Sequence, residues 1–395
     1  MLPFVRSICP RRVLSFGPDT PSITLTPLNV LIGPNASGKS NLIEIFELLR
    51  AAPSDLAAAI RDGGGVEEWL WKGEAKKPGA TIEAELQLPD VSPTLRYRLE
   101  FGAVGQRLEV LDEAIENAAK QSGHRDVFFY YRFQRGHPAI NVRHVTNGKM
   151  TERKLSRDSL DPQQSVLSQR KDPDLYPEVT ALGRALGRVF TFREWAIGRY
   201  TPLRQAQPAD LPNDVLLPDA RNLGLILNVI EQGDEWNRLN EAVRRFLPRF
   251  DRLSTRIQSG TVQLFLHENG LRAPIPATRL SDGTIRFIAL LAVLLKPHGA
   301  PLICLEEPEL GLHPDALPII GELLSEVTER TQVIVTTQSD VLVSALTEHV
   351  ESIVVCENLA GSTRMERLET DKLRHWLDKY KLGDIWRMGE LGGNP

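Results

Sequence analysis

The segment GPNASGKS at residues 33–40 constrains the fold more than any other feature of the sequence. It fits the pattern G-x-x-x-x-G-K-[ST], a phosphate-binding loop that is informative only between a strand and a helix. Both flanking elements are predicted here, because Leu28–Ile32 is an apolar strand-like run and apolar residues recur at helical spacing from Leu42 to Leu49. The chain is therefore predicted to have an α/β fold of the P-loop type.

Nine consecutive residues form the predicted nucleotide site, namely Gly33, Pro34, Asn35, Ala36, Ser37, Gly38, Lys39, Ser40 and Asn41. The glycines of such a loop let backbone N–H groups surround a phosphate, and the following helix adds the positive end of its dipole. Lys39 is predicted to reach the β- and γ-phosphates, and the Ser40 hydroxyl to bind Mg²⁺. ATP and Mg²⁺ are therefore the expected cofactors. The alternative, a chance glycine-rich turn, is disfavoured by the flanking strand and helix.

Two adjacent carboxylates end the apolar run in PLICLEEPELGLHP, residues 301–314. Phosphoryl transfer needs a carboxylate near its metal and a base near the attacking water. Glu306 is therefore the predicted metal-site residue, acting through water, and Glu307 the predicted general base. The alternative is a strand end capped by solvated acids, which the independent phosphate loop disfavours.

A third motif lies in TRLSDGTIRFIALL, residues 278–291, where Ser281, Asp282 and Gly283 directly precede an apolar helix. The N-terminus of such a helix suits an anion. Serine before a helix is also an ordinary N-cap. Ser281 and Gly283 are predicted nucleotide contacts because the phosphate loop and the paired acids accompany them.

The stretch QVIVTTQS at residues 332–339 is a short apolar run that ends in hydroxyls and one carboxamide. A parallel strand buried on both faces explains the apolar run. Ligands of open α/β sheets bind at the carboxyl ends of the strands. Thr336, Thr337, Gln338 and Ser339 are therefore predicted to approach the γ-phosphate of the nucleotide.

Taken in this order, the motifs resemble those of an ABC-type ATPase. Walker A corresponds to residues 33–40, the signature to 280–284, Walker B to 302–307 and a D-loop-like LGLHPDAL to 310–317. The long stretch between Ser40 and Leu280 is similar to the SMC/RecF/OLD branch, in particular to short, hinge-less RecF-like bacterial ATPases, some of which accompany phage-defence systems. In that group EEPE.GLHP and a terminal LWR.GELGG recur, and this chain ends in LGDIWRMGELGGNP.

The resemblance implies that two subunits sandwich two ATP molecules. Ser281 and Gly283 of one subunit then face the Walker A loop, Glu306 and Glu307 of the other, and ATP binding joins the dimer that hydrolysis releases. A histidine usually follows the strand beside Walker B, in TTHS, but this chain carries Gln338 in TTQS. Gln338 is therefore expected to support ATP binding with slow turnover.

The usual Q-loop glutamine has two weak candidates, Gln87 and Gln106.

The predicted architecture is a mixed central sheet with an antiparallel β subdomain and a helical insertion. Lobe I spans residues 1–150 and includes alternating strand-like segments between 81 and 145. The insertion spans 151–260, with a mobile polar stretch at 150–180 and helical patterning over 178–195 and 223–246. Lobe II spans 261–395 and carries the signature, Walker B and the D-loop.

Composition limits the partners and the location. A net charge of −4 over 395 residues means that any nucleic-acid contact needs a local basic patch. The spacing of five arginines predicts one helical face, solvated or nucleic-acid binding, although Pro248 is expected to interrupt that helix: Arg238, Arg245, Arg249, Arg252 and Arg256. Cys304 and Cys356 lie in apolar runs and are predicted to be buried, reduced thiols. No apolar run is long enough to span a bilayer, so we expect a cytoplasmic protein without membrane contact.

Two functions remain alternatives. One is an ATP-dependent, DNA-engaging clamp in DNA repair or anti-phage defence, and the other is an ATP-gated scaffold or sensor that restrains or activates a separate nuclease or toxin. Both require an ATP-dependent homodimer or higher oligomer. The first adds DNA as a partner, and the second adds an effector from a neighbouring gene. A transporter subunit is disfavoured by the long spacer.

Overall fold

The computed structural model describes residues 2–74, 79–89, 91–120, 126–134, 136–144, 150–193, 195–296 and 299–393. The strands, in chain order, are β1 (Val5–Arg11), β2 (Ile23–Thr24), β3 (Leu28–Ile32), β4 (Ala80–Leu86), β5 (Leu95–Val104), β6 (Arg107–Asn117), β7 (Phe129–Gln134), β8 (His137–Arg143), β9 (Met150–Lys154), β10 (Val189–Phe192), β11 (Gln207–Pro208), β12 (Phe250–Gln258), β13 (Thr261–Glu268), β14 (Ile275–Pro276), β15 (Leu302–Glu306), β16 (Gln332–Thr336), β17 (Ile353–Leu359) and β18 (Ser362–Arg367).

The helices, in chain order, are α1 (Lys39–Ala51), α2 (Leu56–Asp62), α3 (Val66–Trp69), α4 (Val166–Gln169), α5 (Pro177–Leu186), α6 (Leu223–Glu231), α7 (Glu235–Phe246), α8 (Asp282–Leu295), α9 (Leu317–Val327), α10 (Asp340–Ala345), α11 (Thr370–Leu377) and α12 (Leu382–Arg387). The strand and helix predicted on either side of the phosphate loop are β3 and α1.

The six-stranded central sheet has the order β10-β15-β16-β3-β17-β18 and is parallel except for the last pair. Its strands bury alternate residues in two cores: Val333 and Val335 of β16 lie in one core, and Ile334 lies in the other. Glu306 is in register with Thr336, and Thr336 with Leu31. The carboxyl ends of β3, β15 and β16 therefore meet at one edge.

The eight-stranded sheet is antiparallel, with the order β2-β1-β4-β5-β6-β7-β8-β9. Residues of β4 and β5 alternate between buried and half-buried, as expected for strands with one face on a core. Gln332 at the start of β16 joins the two sheets. Its fully buried carboxamide accepts a hydrogen bond from Val5 N (2.8 Å) and donates one to Val5 O (2.9 Å).

A third, antiparallel sheet has the order β11-β13-β12, with β14 paired to β13. Helices α6, α7 and α8 share a core with this sheet and with one face of the central sheet. Helix α8 is buried along most of its length, which explains why its sequence after Ser281 is almost entirely apolar.

The segment predicted as helix over 178–195 is only partly helical. Helix α5 ends at Leu186, and Val189–Phe192 forms β10, the edge strand that pairs in parallel with β15. The prediction of helix beyond Leu186 is wrong because a short apolar run suits either structure, and the β-branched and aromatic residues of β10 favour a strand. The stretch 150–180, predicted to be mobile, contains β9, α4 and the start of α5. The domain boundaries at 150 and 260 stay a prediction.

The five arginines predicted on one helical face do not share one. Arg238 and Arg245 lie on α7, which ends at Phe246, whereas Arg252 and Arg256 lie on β12. The prediction is wrong because the chain leaves the helix just before Pro248, and proline disfavours helix in the residue that precedes it.

All three cysteines are free and buried, as predicted for Cys304 and Cys356. Across the described ranges, no helix combines the length and the apolar character that crossing a membrane requires.

Candidate nucleotide-binding site

The phosphate loop connects the end of β3 to the start of α1 in a conformation that needs glycine. Gly33 has φ 142° and Gly38 has φ 97°. A Cβ at Gly33 would lie 2.2 Å from the Cys356 carbonyl oxygen, and one at Gly38 would lie 2.0 Å from Thr363 Oγ1. Ala36 between them also has a positive φ, 63°. Pro34, Asn35 and Ala36 are exposed, so the tip of the loop is open to a ligand.

The base of the loop is fastened by residues that the motif does not include. Thr363 of β18 donates to Ser37 O (3.0 Å) and to Ser15 Oγ (2.6 Å). Ser15 also accepts a hydrogen bond from Asn41 Nδ2 (2.7 Å). The Asn41 side chain therefore points toward Ser15. No sequence signal identified Ser15 or Thr363, because they lie far from the motif along the chain.

Lys39 is 5% exposed, and its ammonium group is held inside the loop. Nζ donates to Gly33 O (2.6 Å) and Pro34 O (2.9 Å). Burial lowers the pKa of Lys39, and the negative charges of Glu306, Glu307 and Glu309 oppose this shift. A buried cation that faces carboxylates and carbonyls beside an open loop tip suits a phosphate ligand.

The two Walker B carboxylates occupy different environments. Glu306 Oε2 accepts a hydrogen bond from Arg193 Nε (2.6 Å), and Arg193 also reaches Glu47 Oε2 on α1 from Nη1 (2.9 Å). Burial lowers the pKa of the Arg193 guanidinium, but its hydrogen bonds and ion pairs with Glu306 and Glu47 outweigh burial and leave the pKa raised. Arg193 is a site residue that the sequence did not reveal.

Glu307 follows β15 with a left-handed backbone, φ 43°. Its N–H donates to Thr336 O (3.0 Å) and Thr336 Oγ1 (3.1 Å), which fixes this turn against the end of β16. Its Oε1 accepts a hydrogen bond from Gln338 Nε2. The structure therefore brings together Glu307, the predicted general base, and Gln338, predicted to approach the γ-phosphate. Backbone strain at such positions is common in functional sites.

Glu309 is a third carboxylate at this edge of the sheet. Its Oε1 accepts hydrogen bonds from Thr337 Oγ1 (2.7 Å) and Gln338 N (2.8 Å). Its Oε2 is buried and has no hydrogen-bond partner in the described part of the chain. Burial raises the pKa of Glu309. The polar end of QVIVTTQS therefore contacts the EEPE segment directly, and the third acid of that segment was the signal that could have predicted Glu309.

The signature motif begins α8, with Ser281 as its N-cap. Ser281 Oγ accepts a hydrogen bond from Thr284 N (3.1 Å), so the expected cap is present. The buried Arg204 holds the preceding turn, donating to Ile197 O (2.8 Å), to Ala277 O (3.1 Å) and to the Asp282 carboxylate. In the described residues, no hydrogen bond joins 281–284 to the phosphate loop.

The signature instead lies against the D-loop-like segment of its own chain. A Cβ at Gly283 would lie 2.9 Å from Gly311 O, and Arg286 donates to Leu310 O (2.5 Å). Ser281 and Asp282 are exposed. The N-terminal end of α8 is thus open to solvent.

Neither Q-loop candidate lies at the site, so both predictions are wrong. Gln87 follows β4, and its carboxamide accepts a hydrogen bond from Thr94 Oγ1 (2.7 Å) at the eight-stranded sheet. Gln106 lies in the turn between β5 and β6 with φ 66°. The side chain that reaches the Walker B strand from the neighbouring strand is Arg193, at the end of β10.

The residues present suit Mg²⁺ with ATP. Ser40 and Glu306 offer hard oxygen ligands beside the loop that would hold the phosphates, and Mg²⁺ commonly takes only one or two protein ligands in addition to substrate phosphates. In the described ranges, no group of three or more His, Cys, Asp or Glu side chains could hold a metal. When bound, the ion would neutralise charge on the phosphates.

A family model described as "AAA domain, putative AbiEii toxin, Type IV TA system" matches residues 28–344. The chain belongs to this family. A comparison with curated proteins gave no match.

Solved structures with a similar fold are SMC head domains. The SMC head bound to the C-terminal winged-helix domain of ScpA has a TM-score of 0.60 at 14% identity, over 94% of this chain and 99% of that one. The Pyrococcus furiosus head with an extended coiled coil, bound to the C-terminal domain of ScpA, has 0.59 at 13% identity, over 96% and 99%. The Pyrococcus yayanosii head has 0.50 at 12% identity, over 96% and 99%. These likenesses and the family match confirm the predicted SMC/RecF-like, ABC-type ATPase fold.

Proposed function

We propose that this ABC-type ATPase binds and slowly hydrolyses ATP with Mg²⁺. Lys39 contacts the phosphates, Ser40 and Glu306 hold Mg²⁺, and Glu307 accepts a proton from the attacking water. The observation that carries the proposal is the meeting of Glu307 and Gln338 at the strand edge that also holds the phosphate loop. Gln338 orients Glu307, and as a carboxamide it can donate a hydrogen bond but cannot become cationic.

ATP joins two copies of the chain, with Ser281 and Gly283 of one copy contacting the γ-phosphate held by the other. Support comes from exposure: the tip of the phosphate loop, Ser281, Gln338 and the 53%-exposed Leu310 all face solvent in one chain. An N-capped, exposed helix N-terminus that, among the described residues, has no hydrogen bond to its own phosphate loop suits an anion held by a second molecule.

The mass of the Glu307→Gln protein with and without ATP tests this proposal. Slowed hydrolysis should trap the closed state, so we expect the mass to double when ATP and Mg²⁺ are added. Ser281→Arg should bind ATP and remain monomeric, because a long side chain blocks the helix N-terminus. Ser156→Arg, at an exposed serine after β9, is the matched control and should still dimerise. If the mass of every variant is the same with and without ATP, the dimer that sandwiches ATP is ruled out.

Two partners are candidates for the closed dimer, namely DNA and another protein. The ion pairs of the arginines favour a protein partner over DNA. Arg238 pairs with Glu326, Arg245 with Glu322 and Arg249 with Glu268, so the expected basic patch is largely neutralised by acids. An ion-paired arginine releases few counterions when a phosphate approaches. The DNA-engaging clamp in repair or anti-phage defence is therefore the less favoured alternative.

The ATP-gated scaffold has support from two sources. The family description names a putative toxin, and SMC heads of the same fold carry a domain of ScpA. We expect a complex between this chain and the product of a neighbouring gene whose affinity changes with ATP. DNA binding that weakens steeply with salt and strengthens with ATP would instead support the clamp.

A further inference from the structure

Arg193 links the Walker B strand to the helix that follows the phosphate loop. It lies just after β10, and its guanidinium binds Glu306 through Nε (2.6 Å) and Glu47 through Nη1 (2.9 Å). Thr191, two residues earlier, fixes the other Glu47 oxygen with its hydroxyl (2.9 Å). The Glu47 end of this bridge is therefore anchored twice, whereas the Glu306 end depends on Arg193.

Three carboxylates surround this one cation. Glu44 lies one turn before Glu47 on α1; burial raises its pKa, the positive charge of Arg193 lowers it, and the negative charges of Glu47 and Glu306 raise it. The side chains of Arg193 and Glu306 are 28% and 16% exposed. Water therefore screens their ion pair less than it screens a pair on the open surface.

The ion pair with Arg193 occupies Glu306, the carboxylate that is proposed to hold the metal. Glu306 Oε2 already accepts an N–H, and the adjacent guanidinium repels any second cation. We infer that Arg193 is a positioning residue that holds Glu306 in the nucleotide-free chain and sets the Mg²⁺ concentration that ATP binding requires. The inference rests on the proposed role of Glu306 in the metal site. Arg193 must release Glu306 before that carboxylate can serve a cation, and Glu47 retains the guanidinium when it does.

Two opposite substitutions test this competition. Arg193→Gln removes the cation, so half-maximal binding of a fluorescent ATP analogue should need about tenfold less Mg²⁺, the order expected for one charge-assisted hydrogen bond.

Glu47→Gln removes the carboxylate that competes for Arg193, so the guanidinium should hold Glu306 more firmly and the Mg²⁺ requirement should rise. Arg193→Lys keeps the charge and should stay closer to the wild type. Arg61→Gln, at an exposed arginine on α2, is the matched control for the loss of one positive charge.

The outcomes separate this inference from the proposed function. If the wild type binds no ATP analogue at any Mg²⁺ concentration, the proposed function fails. If it binds and neither Arg193→Gln nor Glu47→Gln shifts the Mg²⁺ requirement, or both shift it in the same direction, the inference is wrong. Thermal unfolding without ligand is measured in parallel. If Arg193→Gln does not fold, the inference is still decided by whether Glu47→Gln raises the Mg²⁺ concentration that binding of the ATP analogue requires.

Discussion

Two carboxylates, the buried Glu113 in the eight-stranded sheet and the half-buried Glu309 at the edge of the central sheet, use their oxygens differently. Glu113 accepts hydrogen bonds at both oxygens, from the Tyr97 hydroxyl (2.8 Å) and the Ser165 hydroxyl at Oε1 and from Val166 N (2.9 Å) at Oε2. Glu309 accepts both of its hydrogen bonds at Oε1, and its buried Oε2 has no partner in the described chain.

The difference separates a group that builds the fold from one that lies in a site. Glu113 ties β6 to the start of α4, and both of its oxygens accept hydrogen bonds within the protein. Glu309 keeps an unused acceptor beside Glu307 and Gln338. A buried polar atom without a partner is costly and calls for an explanation. Changes in the eight-stranded sheet should therefore alter stability, and changes at the strand edge should alter turnover.

The largest effect is expected for Glu307→Gln. Loss of the general base should lower the ATP turnover rate by roughly 10²–10⁴-fold. Glutamine keeps the size of the side chain, so the melting temperature should change little. Steady-state phosphate release and thermal unfolding measure the two quantities. Glu113→Gln is the control, and equal loss of turnover in both variants would contradict the separation of roles.

Glu113→Ala should be the most destabilising of these changes. It leaves the Tyr97 hydroxyl, the Ser165 hydroxyl and the Val166 N–H without their buried acceptor and opens a cavity, which together should cost about 3–5 kcal/mol in the free energy of unfolding. Urea denaturation measures the change, and the affinity for ATP should not change. A loss below about 1 kcal/mol would mean that α4 is held by other contacts.

Glu113 should also make stability depend on pH. Burial raises its pKa to about 7, although the hydrogen bonds from Ser165, Val166 and Tyr97 oppose the shift. The native state thus binds the proton more tightly than the unfolded chain, so stability is full below the unfolded pKa and falls as pH rises through the folded one. The loss should total about 3 kcal/mol between pH 4.5 and 8. Glu113→Gln should remove this slope, and an unchanged slope would assign it to another group.

The sequence predicted those parts of the site that lie within short motifs. Gly33–Ser40, Glu306, Glu307 and Ser281 could be found because spacing along the chain dictates their chemistry. Arg193, Arg204 and Thr363 could not, because each reaches the site from a distant strand or turn. Both Q-loop candidates failed for the same reason: only the pairing of β10 with β15 shows which residue approaches Walker B.

The fold, like the site, was predicted where a local pattern specifies it and missed where contacts between distant segments decide it. The strands beside the motifs were predicted because a fully apolar run indicates a parallel strand covered on both faces. β10 was mistaken for helix, since four residues carry no period that separates the two structures. The two-sheet arrangement depends on contacts such as Gln332 with Val5, which no local pattern encodes.

Gln338→His should give the smallest effect, a rise in ATP turnover of about three- to tenfold. In the wild type, Gln338 Nε2 donates a hydrogen bond to Glu307 Oε1. This bond stabilises the negative charge of the carboxylate, which can still accept one more hydrogen bond. An imidazole can donate as well, and it can also become cationic as charge develops on the γ-phosphate. The backbone N–H of Gln338 donates to Glu309 (2.8 Å). This bond does not involve the side chain, so the strand end should keep its position in the variants. Gln338→Asn, too short to reach Glu307, is the matched control and should turn over no faster than the wild type. If histidine gives no increase in phosphate release, Gln338 does not limit turnover, and the slow step lies elsewhere, in closure or release of the dimer.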